Sequence, residues 1–344
     1  MSIKAKPIQA GVIGAGLMGY WHAKAIGRAG GRLSAVVDPD LMSARRLAAG
    51  YHGAESFSEL SQVLDRIRLD VLHICTPPFA HYKIAQLAIE AGLNVMIEKP
   101  MTVTAQETEY LLDRASDRGV LICPVHQFIF LDGLLKAKEL LPRIGRVVHM
   151  EGTFRSAGGA GLPFEQLDEI AADILPHPLS LMQVFLPTGL PKVNWLTVHP
   201  GYGEFLAVGE ASGASLSVFI SMSARPTACS FQIVGTAGTI HIDLFHGFSF
   251  IETGEVSRTR KLMRPFDTAV RRLSAATFNI GRRVIRREPA YPGLQRLVGS
   301  FYQAIRTGAE PPISPEDTLA VARVRDLLVR DSGLAGHEPG PMGS

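Results

Sequence analysis

The feature that most restricts the fold of this chain is the run IQAGVIGAGLMGYWHAKAIGRAG at residues 8–30. A short apolar segment of strand character flows into Gly14, Gly16 and Gly19 in G-x-G-x-x-G register, and a helical segment follows. A second strand, RLSAVVD, then ends in Asp38, nineteen residues past Gly19. Strand, glycine turn, helix, strand and acid at this spacing predict a dinucleotide site. Gly14 makes the tight turn, Gly16 lets a pyrophosphate approach the backbone, and Gly19 allows close helix–strand packing. Leu17 and Met18 lie in this turn, and the helix YWHAKAIGRAG follows it, its free N–H groups and positive dipole end suiting phosphate. Asp38 would accept hydrogen bonds from ribose hydroxyls and repel a 2′-phosphate, which points to NAD rather than NADP. Arg45 and Arg46 lie a helical turn or two further on.

The alternation continues with SFSELSQVLDRI as helix, DVLHICTP as strand and HYKIAQLAIEAG as helix. NVMIEKP, AQETEYLLDRASDRG and VLICPVH then read as strand, helix and strand. Such repetition predicts an α/β, doubly wound parallel sheet with ligands at the carboxyl ends of its strands. Two strand ends carry polar groups expected to face the cofactor: Thr76-Pro77 with His81 nearby, and Glu98-Lys99-Pro100. After His126 the pattern changes to longer alternating strands separated by glycine turns, among them RVVHMEGTFR, EFLAVGEAS and ASLSVFISMS. That predicts an α+β domain with an open, mainly antiparallel sheet. The expected division is 1–125 for the dinucleotide domain and 126–344 for a substrate-binding and oligomerisation domain.

Bulk properties narrow the class further. A formal net charge of +3 gives no general reason to expect nucleic-acid binding. Cys75, Cys123 and Cys229 lie far apart, and no CxxC pair or His/Cys cluster has zinc-ligand spacing, so no metal is expected. The N-terminal residues run into a strand without a signal-peptide core, and no apolar stretch reaches membrane-span length, so a cytoplasmic address is expected.

Two segments are not absorbed by this scheme. In DILPHPLSL, Asp173 and His177 stand four residues apart among prolines suited to the first turn of a helix. His177 is either a structural histidine at a helix start or an imidazole aimed at a ligand. Residues 258–287 hold ten Lys/Arg and a single acid, Asp267, leaving 25 basic against 31 acidic residues elsewhere. Phe266, Val270, Leu273, Thr277, Ile280 and Val284 form a helical stripe there. The segment reads as a helix covering the open sheet or a subunit interface, as one lying on an anionic membrane, or as a holder of phosphates.

GAGLMG, VDPD, CTPP with His81, and above all EKP at the end of the strand NVMIEKP resemble the glucose–fructose oxidoreductase / inositol dehydrogenase (Gfo/Idh/MocA) family, from about Ile8 to the C-terminal helix. The resemblance implies a Rossmann domain and a homo-oligomer, dimer or tetramer, built on the second-domain sheet. It also implies an NAD-dependent oxidoreductase of a sugar, nucleotide sugar or cyclitol. It implies that Lys99 lies beside the nicotinamide and the substrate hydroxyl, with a Lys–Pro bond that is often cis. DILPH matches the family's D-x-x-x-H segment, which implies Asp173 and His177 as catalytic groups, with His177 as the base. Relatives often carry a further aspartate three residues on, where this chain has Ser180, and HQFIFLDG lacks the Asn/Arg pattern of many sugar-oxidising members. The substrate contacts expected here are His126, Arg155 and Ser180, without a named substrate. A non-sugar carbonyl or dihydrodiol, or a catalytically idle NAD-binding scaffold, are the competing readings.

Overall fold

The computed structural model describes residues 6–186, 189–254, 258–288 and 290–334, and two sheets organise two units. In the first unit the strands are β1 (Ile8–Ile13), β2 (Gly31–Val37), β3 (Glu55–Phe57), β4 (Val71–Ile74), β5 (Asn94–Ile97) and β6 (Ile122–Pro124). All pair in parallel, in the order β3-β2-β1-β4-β5-β6. The connecting helices are α1 (Leu17–Arg28), α2 (Leu41–Ala48), α3 (Leu60–Arg66), α4 (Pro78–Glu90) and α5 (Ala105–Arg118). Ala10, Val12, Ala35, Val36, Leu72, Ile74, Val95 and Ile97 are fully buried. Near-continuous apolar strands of this kind follow from having both sheet faces covered. The strand order reverses direction between β1 and β4, and the loops after those strands flank the crevice that this topology leaves for a ligand.

Local signals fix the helix ends. Pro78 occupies the first position of α4, where its missing N–H costs little. α5 opens with a reciprocal capping box between Thr104 and Glu107 and closes on Gly119 in the left-handed region.

The second unit is built on a seven-stranded sheet ordered β13-β12-β11-β7-β10-β9-β8. Its strands are β7 (Val147–Arg155), β8 (Asn194–Gly201), β9 (Glu204–Ala211), β10 (Ala214–Ser221), β11 (Ala228–Gly235), β12 (Gly238–Asp243) and β13 (Phe248–Thr253). Every pairing is antiparallel except β7 with β10. The helices α6 (Asp132–Leu140), α7 (Phe164–Ile174), α8 (Pro176–Phe185) and α9 (Arg258–Arg286) belong to the same unit. Met150, Gly152 and Phe154 point to the buried face of β7, where a Cβ on Gly152 would touch Pro178 of α8. Glu151, Thr153 and Arg155 point to the opposite, open face.

The units do not follow a single cut in the chain. Two further helices, α10 (Pro292–Thr307) and α11 (Pro315–Ser332), close the described sequence. Residues 294–322 group with the first unit, and residues 323–334 group with the second. Thus 126–344 is not one continuous body. Tyr302 explains the return locally: its ring lies where a Cβ on Gly31 would be, at the start of β2, and it is fully buried. No helix among the described residues is long and apolar enough to cross a membrane.

Candidate active site

The glycine turn between β1 and α1 has three distinct requirements. Gly14 has φ +93°, and a Cβ there would sit 2.5 Å from the Cys75 carbonyl oxygen. At Gly19 a Cβ would overlap the Gly14 carbonyl oxygen, so the helix can approach the strand only with glycine. A Cβ at Gly16 would meet nothing within 4 Å. Gly16 therefore serves no internal packing; the space above it is room for something to lie on the backbone. α1 starts at Leu17 with no side-chain cap, and Leu17 is exposed. Beside this turn, Asp38 accepts from Ala15 N–H through Oδ2 at 2.7 Å and from Asp40 N–H through Oδ1 at 2.8 Å. Those two bonds orient its carboxylate and leave each oxygen a further lone pair. Arg46 is turned to Ser43 Oγ, 2.6 Å away, and to Asp40, 3.7 Å away.

At the end of β4, Thr76 Oγ1 is buried with no hydrogen-bonding partner among the described residues. An orphaned hydroxyl beside an unfilled glycine turn fits a bound group that supplies the missing partner. Together, the open surface at Gly16, the uncapped helix end, the oriented Asp38 and the orphaned Thr76 fit NAD. Gly14, Gly16, Gly19, the Leu17 and Met18 backbone, Asp38 and Thr76-Pro77 are the groups that would hold it.

His81 has a different role from the one expected of it. It is fully buried, with Nδ1 2.9 Å from the Pro100 carbonyl and Nε2 2.8 Å from the Thr76 carbonyl. Both ring nitrogens are thus directed at backbone, and the side chain ties the two strand-end loops together instead of facing the cofactor. The Lys99–Pro100 bond is cis.

Glu98 heads a buried chain that the sequence did not announce. Its Oε1 lies 3.0 Å from His22 Nε2, His22 Nδ1 lies 2.8 Å from His73 Nδ1, and His73 Nε2 lies 2.9 Å from Tyr302 Oη. Glu98 Oε2 also accepts from the Lys99 backbone N–H at 3.2 Å. Burial pushes the Glu98 carboxyl up, but the His22 hydrogen bond and the nearby Lys99 charge outweigh it and hold the pKa below the usual range. Burial, helped by His22, holds His73 well below the ordinary histidine value, so it is neutral. Burial likewise keeps Tyr302 protonated. With His22 neutral, one assignment satisfies all three contacts: Tyr302 donates to His73, His73 to His22, and His22 to the Glu98 carboxylate.

In the second unit, DILPH spans a helix junction and not a single helix start. Asp173 lies in the last turn of α7, Leu175 joins the two helices, and His177 is in the first turn of α8. The half-buried His177 ring stacks parallel to Phe154, with centroids 6.3 Å apart and planes within 6°, and packs on Phe128 at 4.4 Å. Asp173 Oδ1 stands 4.0 Å from Nη2 of Arg325, an arginine only 4% exposed that also contacts Asp326 at 3.3 Å. Sequence reading missed Arg325. Its one signal was an arginine interrupting the apolar stripe Val321, Val324 and Leu328 of α11.

The three expected substrate contacts fare differently. Arg155 follows Phe154 on β7 and so points to the open face, away from His177, where it lines a cleft with Ser230, Gln232, His241 and Arg272. It is not on the His177 face. Ser180 is buried and donates to the His177 carbonyl at 2.9 Å, so its hydroxyl is used within the helix's own turn. His126 is buried at the start of the second unit.

Comparison with known proteins agrees with this geometry. Residues 8–126 match the model of the family described as "Oxidoreductase family, NAD-binding Rossmann fold" (GFO_IDH_MocA). Inositol 2-dehydrogenase 4 of Saccharopolyspora erythraea is 39% identical over 261 residues, covering 69% of this chain and 77% of that protein. Among solved structures, a levoglucosan dehydrogenase in complex with NADH and levoglucosan superposes with TM-score 0.77 at 19% identity, covering 95% of this chain and 98% of the other. The WlbA dehydrogenase of Bordetella pertussis, in complex with NADH and UDP-GlcNAcA, gives TM-score 0.76 at 19% identity over 96% and 97% of the two chains. With a glycine turn built for a nucleotide, an EKP strand end and a relative this similar over most of both lengths, the chain belongs to the Gfo/Idh/MocA family of NAD-binding oxidoreductases.

Proposed function

We propose that this chain is an NAD-dependent dehydrogenase acting on a secondary hydroxyl, or the matching ketone, of a sugar, nucleotide sugar or cyclitol. The observation that supports it most is the joint presence of Lys99 after an ionised Glu98 and of the Asp173/His177 pair. Bound NAD supplies the hydride acceptor for the alcohol carbon. Lys99 hydrogen-bonds the reacting oxygen and stabilises negative charge that develops on it. His177 takes the hydroxyl proton, or returns it when a ketone is reduced. It stands in the first turn of α8, directly after the α7–α8 junction and one helical turn from Asp173. Asp173, held beside Arg325, orients the groups around the junction.

Preference for NAD over NADP rests on Asp38, whose carboxylate is fixed by two N–H groups, and on Arg46 being turned to Ser43 and Asp40. Asp38→Ala should raise kcat/KM for NADP relative to NAD by at least about tenfold, equivalent to ~1.4 kcal/mol; an unchanged ratio in steady-state assays would remove Asp38 from cofactor selection. Copies of the chain are assigned to the open sheet face, where Leu196, Val198, Leu206 and Val208 stand exposed on neighbouring strands. The reading is tested by screening polyols, inositols and nucleotide sugars for NADH formation, together with NAD binding by calorimetry. Binding without turnover on any of them would favour a scaffold that holds NAD without chemistry.

A further inference from the structure

α9 is amphipathic, but its sides are reversed from what a core-facing helix requires. Its polar flank faces the protein: Asn279 donates to the His246 carbonyl at 2.8 Å, and Arg282 and Arg286 reach Asp132 at 3.0 and 2.8 Å. Arg264 pairs with Glu252 of β13 at 3.2 Å. Its apolar residues point outward: Leu262, Phe266, Val270, Leu273, Ile280 and Val284 are each at least 60% exposed. Met263, Phe278 and Ile285 widen that arc and are just as exposed. At about 100° per residue the apolar arc covers roughly half the helix circumference, wider than the seam a single partner helix covers. The helix covers the sheet edge, but through its arginines and not through its stripe.

We propose that α9 docks this protein on an anionic lipid bilayer, lying in the interface plane with its apolar arc inserted. Three observations favour a bilayer over another protein surface. The arc is continuous and broad, along a helix of 29 residues. Ten Lys/Arg against one acid over 258–287 match an anionic surface, and two such helices facing each other would bring like charges together. Arg271 borders the arc by helical position, and an arginine there can lay its stem on apolar surface while its head stays at headgroup level. The proposal does not depend on the catalytic reading.

The test is flotation of the full chain with phosphatidylcholine vesicles containing phosphatidylglycerol, and with phosphatidylcholine alone, at low and high salt. Flotation with the anionic vesicles at low salt, weakened by high salt, is the expected result. The variant Phe266→Asp/Leu273→Asp/Val284→Asp changes only exposed positions. It should keep its circular dichroism, melting temperature and NAD binding but lose flotation to the level of pure phosphatidylcholine. Absence of flotation at low salt, or equal flotation of the variant, would overturn the proposal. So would light scattering showing that the wild type fails to float while the variant breaks an oligomer into monomers, because a second copy would then cover the arc.

Discussion

Two polar clusters carry the proposed chemistry, and they are built on opposite plans. Around Glu98 every group is buried and bonded in series, His22 to His73 to Tyr302, with donors that all point toward one carboxylate. Around Asp173, the carboxylate and His177 are half-buried, the ion pair with the buried Arg325 is long at 4.0 Å, and the His177 ring stacks on Phe154 and packs on Phe128. A closed chain of neutral donors fixes a charge and a backbone position. A looser, partly open group can gain and lose a proton. In the proposed chemistry the first plan would set the Lys99 environment and the second would exchange the hydroxyl proton.

The contrast is most severely tested by His22→Leu. It removes the side-chain donor to the buried Glu98 carboxylate and leaves His73 Nδ1 without its partner, two losses that together should cost about 3–5 kcal/mol in urea denaturation. Tyr302→Phe removes the far end of the chain and leaves His73 Nε2 without its donor, so it should cost about 1–3 kcal/mol. If both cost nothing, the chain does not hold Glu98.

Acid should expose the same asymmetry. His73 is depressed in the folded protein, so only the unfolded chain takes up its proton as pH falls below about 6.5. Its stability contribution is complete above that pH and is lost below it, by up to ~1.4 kcal/mol per pH unit for one proton. Glu98, also depressed, acts in the same direction from about pH 4.3 downward. Replacing His73 by Gln should flatten the upper part of this profile in melts between those pH values; an unchanged slope would assign it to other groups. The smallest effect belongs to Ser180→Ala. Its hydroxyl bonds only its own helix turn in this account, so turnover should hold within about twofold and stability within about 1 kcal/mol.

How far these clusters could be read beforehand follows from chain distance and parity. Five strands of the first sheet were legible because their signals are local: glycines at fixed spacing, apolar strands of buried length, an acid closing β2; β3 was not, since its Ser56 and Phe57 read as the start of the following helix. The Glu98 chain was not, since Tyr302 is contributed by α10, 229 residues after its partner His73. Arg155 was misplaced because a single step along β7 separates the His177 face from the open face, and alternation alone does not say which face is which. The stripe on α9 was visible, but periodicity carries no information on which side meets the protein. β13, a short edge strand following a turn, also went unread.

The central claim is that Lys99 and His177 act in hydride exchange on a sugar-like hydroxyl while the nucleotide is held by other groups. Its most direct measurement is single-turnover NADH formation on the best substrate of the panel, with Lys99→Met and His177→Asn compared to wild type at matched NAD saturation. The account predicts a fall of at least about a hundredfold in the rate for each, the scale of a lost general base or oxyanion partner, with NAD affinity changed only a few-fold. Near-wild-type rates in both variants would contradict it.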